Sequence, residues 1–278
     1  MKKLGNEIQN IGLEHEFGEL FREMLEDPDI VKLIEENNLT NEDIVKNDSM
    51  LVSYIISKEK CVGCKGVENC QQLNKGYSQS IFYEDDTFKL ERKPCAYQQV
   101  LLEEKAKAER LQVIGIDLSL YNDELFTNTN RKSVLAKVKQ VIVNYQKGLA
   151  NKGFYLHGSY GSGKTYILAN LAKILVSSNA NVVFAYYPDL VRKIKSLIGK
   201  TEFEEIIDEL KNIEVLILDD FGGESPNSYN RDEVLLPILQ ERMAYNRLTF
   251  MSSNLNAEQV LEHLAEGKLG VDMTRASR

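Results

Sequence analysis

One octapeptide narrows the choice of fold more than anything else in the chain. Gly158-Ser159-Tyr160-Gly161-Ser162-Gly163-Lys164-Thr165 satisfies the pattern G-x-x-x-x-G-K-[ST] at every fixed position. It follows a short apolar run (Phe154, Tyr155, Leu156) and precedes a helical pattern from Tyr166 to Leu175. A strand, a glycine-rich turn and a helix in that order make a phosphate cradle, because the glycines let successive backbone N–H groups wrap around anionic oxygens at a helix N-terminus. Lys164 is then placed to neutralise the β and γ oxygens of ATP or ADP, and the Thr165 hydroxyl to ligate Mg2+. The bland alternative is a glycine-rich turn with an accidental lysine.

A second motif argues against accident. Val215-Leu216-Ile217-Leu218-Asp219-Asp220 reads as a buried strand that delivers two carboxylates to one sheet edge. Asp219 is expected to hold the magnesium through water, and Asp220 to polarise the attacking water of an ATPase. Taken alone, such a pair could equally be a solvated strand end. A third element, Ser252-Ser253-Asn254 after the run Leu248–Met251, offers Asn254 as a group that orients the lytic water or senses the γ-phosphate. It also fits an ordinary turn residue.

Four short apolar runs, within GFYLHG, NVVFAYY, EVLILDD and LTFMSSN, alternate with helical patterns after an amphipathic stretch from Arg131 to Leu149. That alternation predicts an α/β fold with a parallel sheet and nucleotide at its carboxyl edge. Upstream, apolar residues recur at helical spacing from Phe17 to Val45, broken at Asp27-Pro28, and a hairpin-like segment runs from Tyr77 to Cys95. The expected division is an N-terminal domain over 1–105, a linker over 106–130 and an ATPase domain over 131–278.

No stretch approaches the roughly 20 apolar residues of a membrane span, and the N-terminus lacks a secretory h-region. A cytoplasmic protein without membrane contact is expected. The net charge of −8 excludes a globally basic nucleic-acid coat, so any DNA contact must be local or shared with a partner. All four cysteines fall in one short region. Cys61-x-x-Cys64, Cys70 and Cys95 are enough soft ligands for one closed tetrahedral Zn2+ site. The competing reading is four free cysteines in a core.

The order HGSYGSGKTYILANLA, VLILDDFGGES, RDEVLLPILQERM, TFMSSN resembles the bacterial replicative-helicase loaders of the AAA+ class, and the cysteine-bearing N-terminal region extends the likeness over nearly the whole chain. The resemblance implies an AAA+ P-loop core that binds ATP and single-stranded DNA, preceded by a small, mainly helical, zinc-binding domain that grips the hexameric replicative helicase. It further implies other primosome proteins as partners and a homo-oligomer on the helicase ring. The task implied is ATP-dependent loading of the helicase onto DNA during initiation or restart.

Two departures bear on catalysis. Asp220 stands where AAA+ proteins usually carry Glu, which suggests modest turnover. The sequence also stops near where such domains enter the arginine-finger helix and the sensor-2 lid; Arg275 and Arg278 either serve as functional arginines or flank missing ones. Slow hydrolysis by this chain alone is therefore expected. Two other functions fit the motifs: the helper ATPase of a transposase, and an adaptor in which ATP is an assembly clamp with negligible hydrolysis.

Overall fold

The computed structural model describes residues 24–121, 131–149, 152–267 and 270–271. Phe17, Leu20 and Phe21 of the N-terminal helical pattern, most of the polar break at 121–130, and Arg275 and Arg278 lie outside them. The chain divides into two compact units, Met1–Glu104 and Lys105–Arg278.

In the first unit, helix α1 (Pro28–Asn37) starts where Asp27 accepts the Asp29 N–H at 3.0 Å and Pro28 supplies a φ suited to the first turn. It ends at Asn38 in the left-handed region. Thr40 and Asp43 form a capping box for α2 (Asn41–Lys46). Leu51, Tyr54 and Ile55 of α3 (Asp48–Glu59) then pack with Met24, Ile30, Ile44 and Phe88 in a core of their own. The expected hairpin is present as β1 (Tyr77–Glu84) antiparallel to β2 (Thr87–Pro94). Asp85 and Asp86 turn it with φ of 52° and 57°, the sign that a type I′ turn requires. Asn47 ties it to the helices, its Oδ1 accepting from the Thr87 hydroxyl (2.8 Å) and the Phe88 N–H (3.3 Å).

Helix α4 (Ala96–Arg110) carries the chain across the division into β3 (Leu111–Ile114). The strands that follow are β4 (Tyr155–His157), β5 (Val182–Tyr186), β6 (Val215–Phe221) and β7 (Leu248–Ser253). All five form one sheet in the order β3-β5-β6-β7-β4, with every ladder parallel. Around it run α5 (Lys132–Gln146), α6 (Lys164–Ser177), α7 (Tyr187–Leu197), α8 (Thr201–Asn212), α9 (Leu236–Ala244) and α10 (Ala257–Ala265). Both sheet faces are covered, as a parallel sheet requires. Val182, Phe184, Val215, Ile217 and Phe250 pack on α5 and α6, while Val183, Ala185, Leu216 and Leu218 pack on α7, α8 and α9.

The fifth strand corrects the sequence reading: four of the residues assigned to a linker are β3, an edge strand of this sheet. Its run is only four residues long and follows directly on a charged helix, too little for a period to register.

Arg242 fastens the end of the sheet remote from the phosphate loop. Its buried guanidinium donates to the carbonyls of Leu210 (2.9 Å), Ile213 (2.7 Å) and Leu248 (2.6 Å) and to the Thr249 hydroxyl (2.8 Å). Burial, and then the neighbouring Arg247 charge, lowers its pKa to about 10, so it stays protonated at neutral pH.

Candidate functional site: a phosphate cradle with two acids

The strand order brings the three motifs together. β4, β7 and β6 are neighbours, so the loop 158–165, Asn254 and the two acids emerge at one carboxyl edge. The Gly158 N–H donates to the Ser253 carbonyl at 3.2 Å, tying the loop to the end of β7. Gly163, at φ +80°, ends the loop as the N-cap of α6.

Lys164 reaches back over the loop. Its Nζ donates to the carbonyls of Gly158 (2.9 Å) and Ser159 (3.0 Å) and to Asn254 Oδ1 (2.7 Å). Asn254 turns its amide nitrogen to Asp220 Oδ1 at 3.1 Å. One side chain therefore links the phosphate-loop lysine to the second acid. The other Asp220 oxygen accepts from the Tyr186 hydroxyl, also at 3.1 Å.

Asp219 is held differently. Its Oδ2 accepts from the Thr165 hydroxyl at 2.8 Å and its Oδ1 from the Ser252 hydroxyl at 2.5 Å. Burial raises its pKa, with the nearby Asp220 charge adding to the rise, while the bonds from Ser252 and Thr165 and the Lys164 charge oppose it. A buried carboxylate beside a hydroxyl, both at the phosphate loop, is a donor set suited to a hard divalent cation. The residues thus fit magnesium, with Thr165 and Asp219 as its side-chain holders.

The two acids diverge because the ladder between β6 and β7 shifts register between Leu218 and Phe221. Asp220 sits in that irregularity with φ +56°, a left-handed conformation that Asp tolerates better than most residues. Its N–H donates to the Ser252 Oγ at 3.1 Å, so Ser252 fixes both acids. Beyond them Glu224 accepts the Gly222 N–H at 2.9 Å and meets His263 Nε2 at 2.9 Å, bracing the turn against α10.

Neither Ser252 nor Tyr186 carries a local sequence mark of its part in the site. Ser252 was legible only as part of the SSN run, and Tyr186 read as the apolar end of a strand. Tyr160, expected in the cradle, points its ring to solvent with 88% of its surface exposed.

The zinc site expected of Cys61, Cys64, Cys70 and Cys95 is not shown. Among the described residues no group of three or more His, Cys, Asp or Glu side chains is placed to hold a metal ion. The turn at Cys61–Cys64 does form, with the Cys64 N–H on the Cys61 carbonyl at 3.3 Å. The sulfurs, however, take local partners: Cys61 Sγ accepts from Gln72 Nε2 (3.2 Å), Cys70 Sγ from the Gly76 N–H (3.3 Å), and Cys64 Sγ faces the Gly66 carbonyl (3.6 Å).

A five-stranded parallel sheet, a phosphate loop feeding a helix, and two acids at its carboxyl edge define a P-loop nucleotide-binding α/β protein. Two family profiles match the chain, primosomal protein DnaI N-terminus over residues 1–91 and IstB-like ATP binding protein over 137–273. The chain belongs to the DnaI family of replicative helicase loaders. It is 28% identical over 280 residues to the replicative helicase loader DnaI of Bacillus subtilis (strain 168), covering 97% of this chain and 90% of that protein. A crystal structure of DnaI is 32% identical, with a TM-score of 0.51, covering 61% of this chain and 89% of that one. The replicative helicase loader DnaC of Escherichia coli (strain K12) is 24% identical over 136 residues, 48% of this chain and 54% of that protein.

Proposed function

We propose that this chain loads the replicative DNA helicase onto single-stranded DNA, in initiation or restart, and that nucleotide at the 158–165 loop drives the cycle. Family membership supports the task. The observation that carries the mechanism is the connection Lys164–Asn254–Asp220, which joins the phosphate-binding lysine to the acid nearest the hydrolytic position.

In this reading the second unit works as an AAA+ ATPase. Backbone N–H groups of Gly161, Ser162 and Gly163 surround the phosphates with Gly158, Ser159 and Tyr160, and Lys164 exchanges its carbonyl partners for phosphate oxygens. Bound magnesium, held by Thr165 and Asp219, would neutralise charge on the β and γ oxygens. Asp220 orients and polarises the attacking water, with Asn254 and Tyr186 setting the direction of its carboxylate. When a γ-phosphate engages Lys164, Asn254 loses a partner, which couples nucleotide state to the orientation of Asp220. The shorter reach of Asp220 favours slow turnover.

The first unit is the helicase-gripping domain in this proposal, with single-stranded DNA and other primosome proteins as partners of the assembly. A pure adaptor role is the second reading, and Asp220 argues against it, since a clamp needs no acid aimed by two donors. ATP turnover measured alone, with single-stranded DNA and with helicase separates the two. Stimulation by either partner is expected; zero turnover under every condition, with nucleotide still bound, would favour the adaptor.

A further inference from the structure

Arg131 directly precedes α5, far from the phosphate loop in sequence and against it in space. A Cβ built on Gly163 would stand 3.2 Å from both Cζ and Nη2 of Arg131, and closer still to Nη1. Gly163 thus serves twice: its φ of +80° ends the loop, and its missing side chain admits a guanidinium to the N-terminus of α6.

That is a costly place for a second cation. The first N–H groups of a helix already carry partial positive charge, and Lys164 stands in the same turn. The Lys164 ammonium is bonded there to uncharged oxygens alone, on Gly158, Ser159 and Asn254. Among the described residues no carboxylate is paired with Arg131. Two cations at a helix N-terminus, neither paired directly with a carboxylate, are an arrangement that favours an anion, and a guanidinium offers phosphate two parallel donors where an ammonium offers a point charge.

We propose that Arg131 is a phosphate-binding residue of the nucleotide site, contacting the phosphate chain held by residues 158–165. The proposal rests on the reading of that loop as the nucleotide site. It gives the site a recognition group outside its sequence motif.

The test uses the full chain, with fluorescent ADP displaced by ADP, ATP or inorganic pyrophosphate. Arg131→Gln is expected to weaken all three by about tenfold or more, the scale of one charge-assisted hydrogen bond. Arg131→Lys should recover part of the loss, because it restores charge without the planar fork. The nucleotide-free circular dichroism melt should be unchanged in both variants, which separates a ligand contact from a structural one. Native affinity for pyrophosphate in Arg131→Gln would overturn the proposal, and loss of ADP but not of pyrophosphate would move the contact to the base or ribose. Failure of the unsubstituted chain to bind any of the three would overturn the nucleotide-site reading itself.

Discussion

Burial raises the pKa of the Asp219 carboxyl from its ordinary value, so this residue is charged at a cost that a bound cation relieves. A carboxyl whose pKa is higher folded than unfolded favours the folded state most below its unfolded pKa, and that contribution is lost as pH rises through the folded value. Asp219→Asn is therefore expected to melt at or above the native temperature near pH 7 without ligand, yet to lose the stabilisation that magnesium and ATP give the native chain. Differential scanning calorimetry with and without both ligands reads it; an undiminished ligand shift would contradict the assignment. Lys164 and Asp220 should separate in another way. Lys164→Ala is expected to abolish tight nucleotide binding, because it removes the cation from the loop. Asp220→Asn is expected to keep binding and stop hydrolysis. Equilibrium titration beside a phosphate-release assay checks both, and an equal loss of binding in the two would refute the separate roles.

At the scale of elements, what the sequence showed and what it hid follow from the same physics. The phosphate loop, β6 and β7 were legible because glycines with forced backbone roles, and apolar runs ending in polar residues, leave local marks. The register shift at Asp219 and Asp220 leaves none, since it depends on how β6 meets β7; with it went the parts of Ser252 and Tyr186. β3 was hidden by its shortness, and the link between α6 and Arg131 by separation in sequence. Cysteine spacing suggests metal ligands, yet among the described residues no group of three or more His, Cys, Asp or Glu side chains is placed to hold a metal ion. Arg242 was likewise invisible as a structural residue, being one charge in the helical run RDEVLLPILQERM. Its carbonyl partners lie on α8, β7 and the approach to β6, so Arg242→Met would leave several of them buried and unpaired. A loss of about 3 kcal/mol is expected, the scale of breaking a buried charged network. Urea unfolding measures it, and a loss below about 1 kcal/mol would mean that water replaces the guanidinium.

The two units keep separate cores, one built on Leu51, Tyr54, Ile55 and Phe88 and the other on the two faces of the sheet. Lesions at the phosphate loop should therefore leave the first unit folded and able to hold its partner. This separation lets one substitution divide gripping from loading. The most direct measurement is delivery of the purified replicative helicase onto circular single-stranded DNA, scored as DNA-bound helicase and as subsequent unwinding, with the native chain and with Lys164→Ala in parallel. The native chain is expected to load helicase in an ATP-dependent way, while Lys164→Ala binds the helicase with native affinity and delivers none. Equal delivery by the two, or delivery by the native chain without nucleotide, would contradict the central claim that the 158–165 site drives loading.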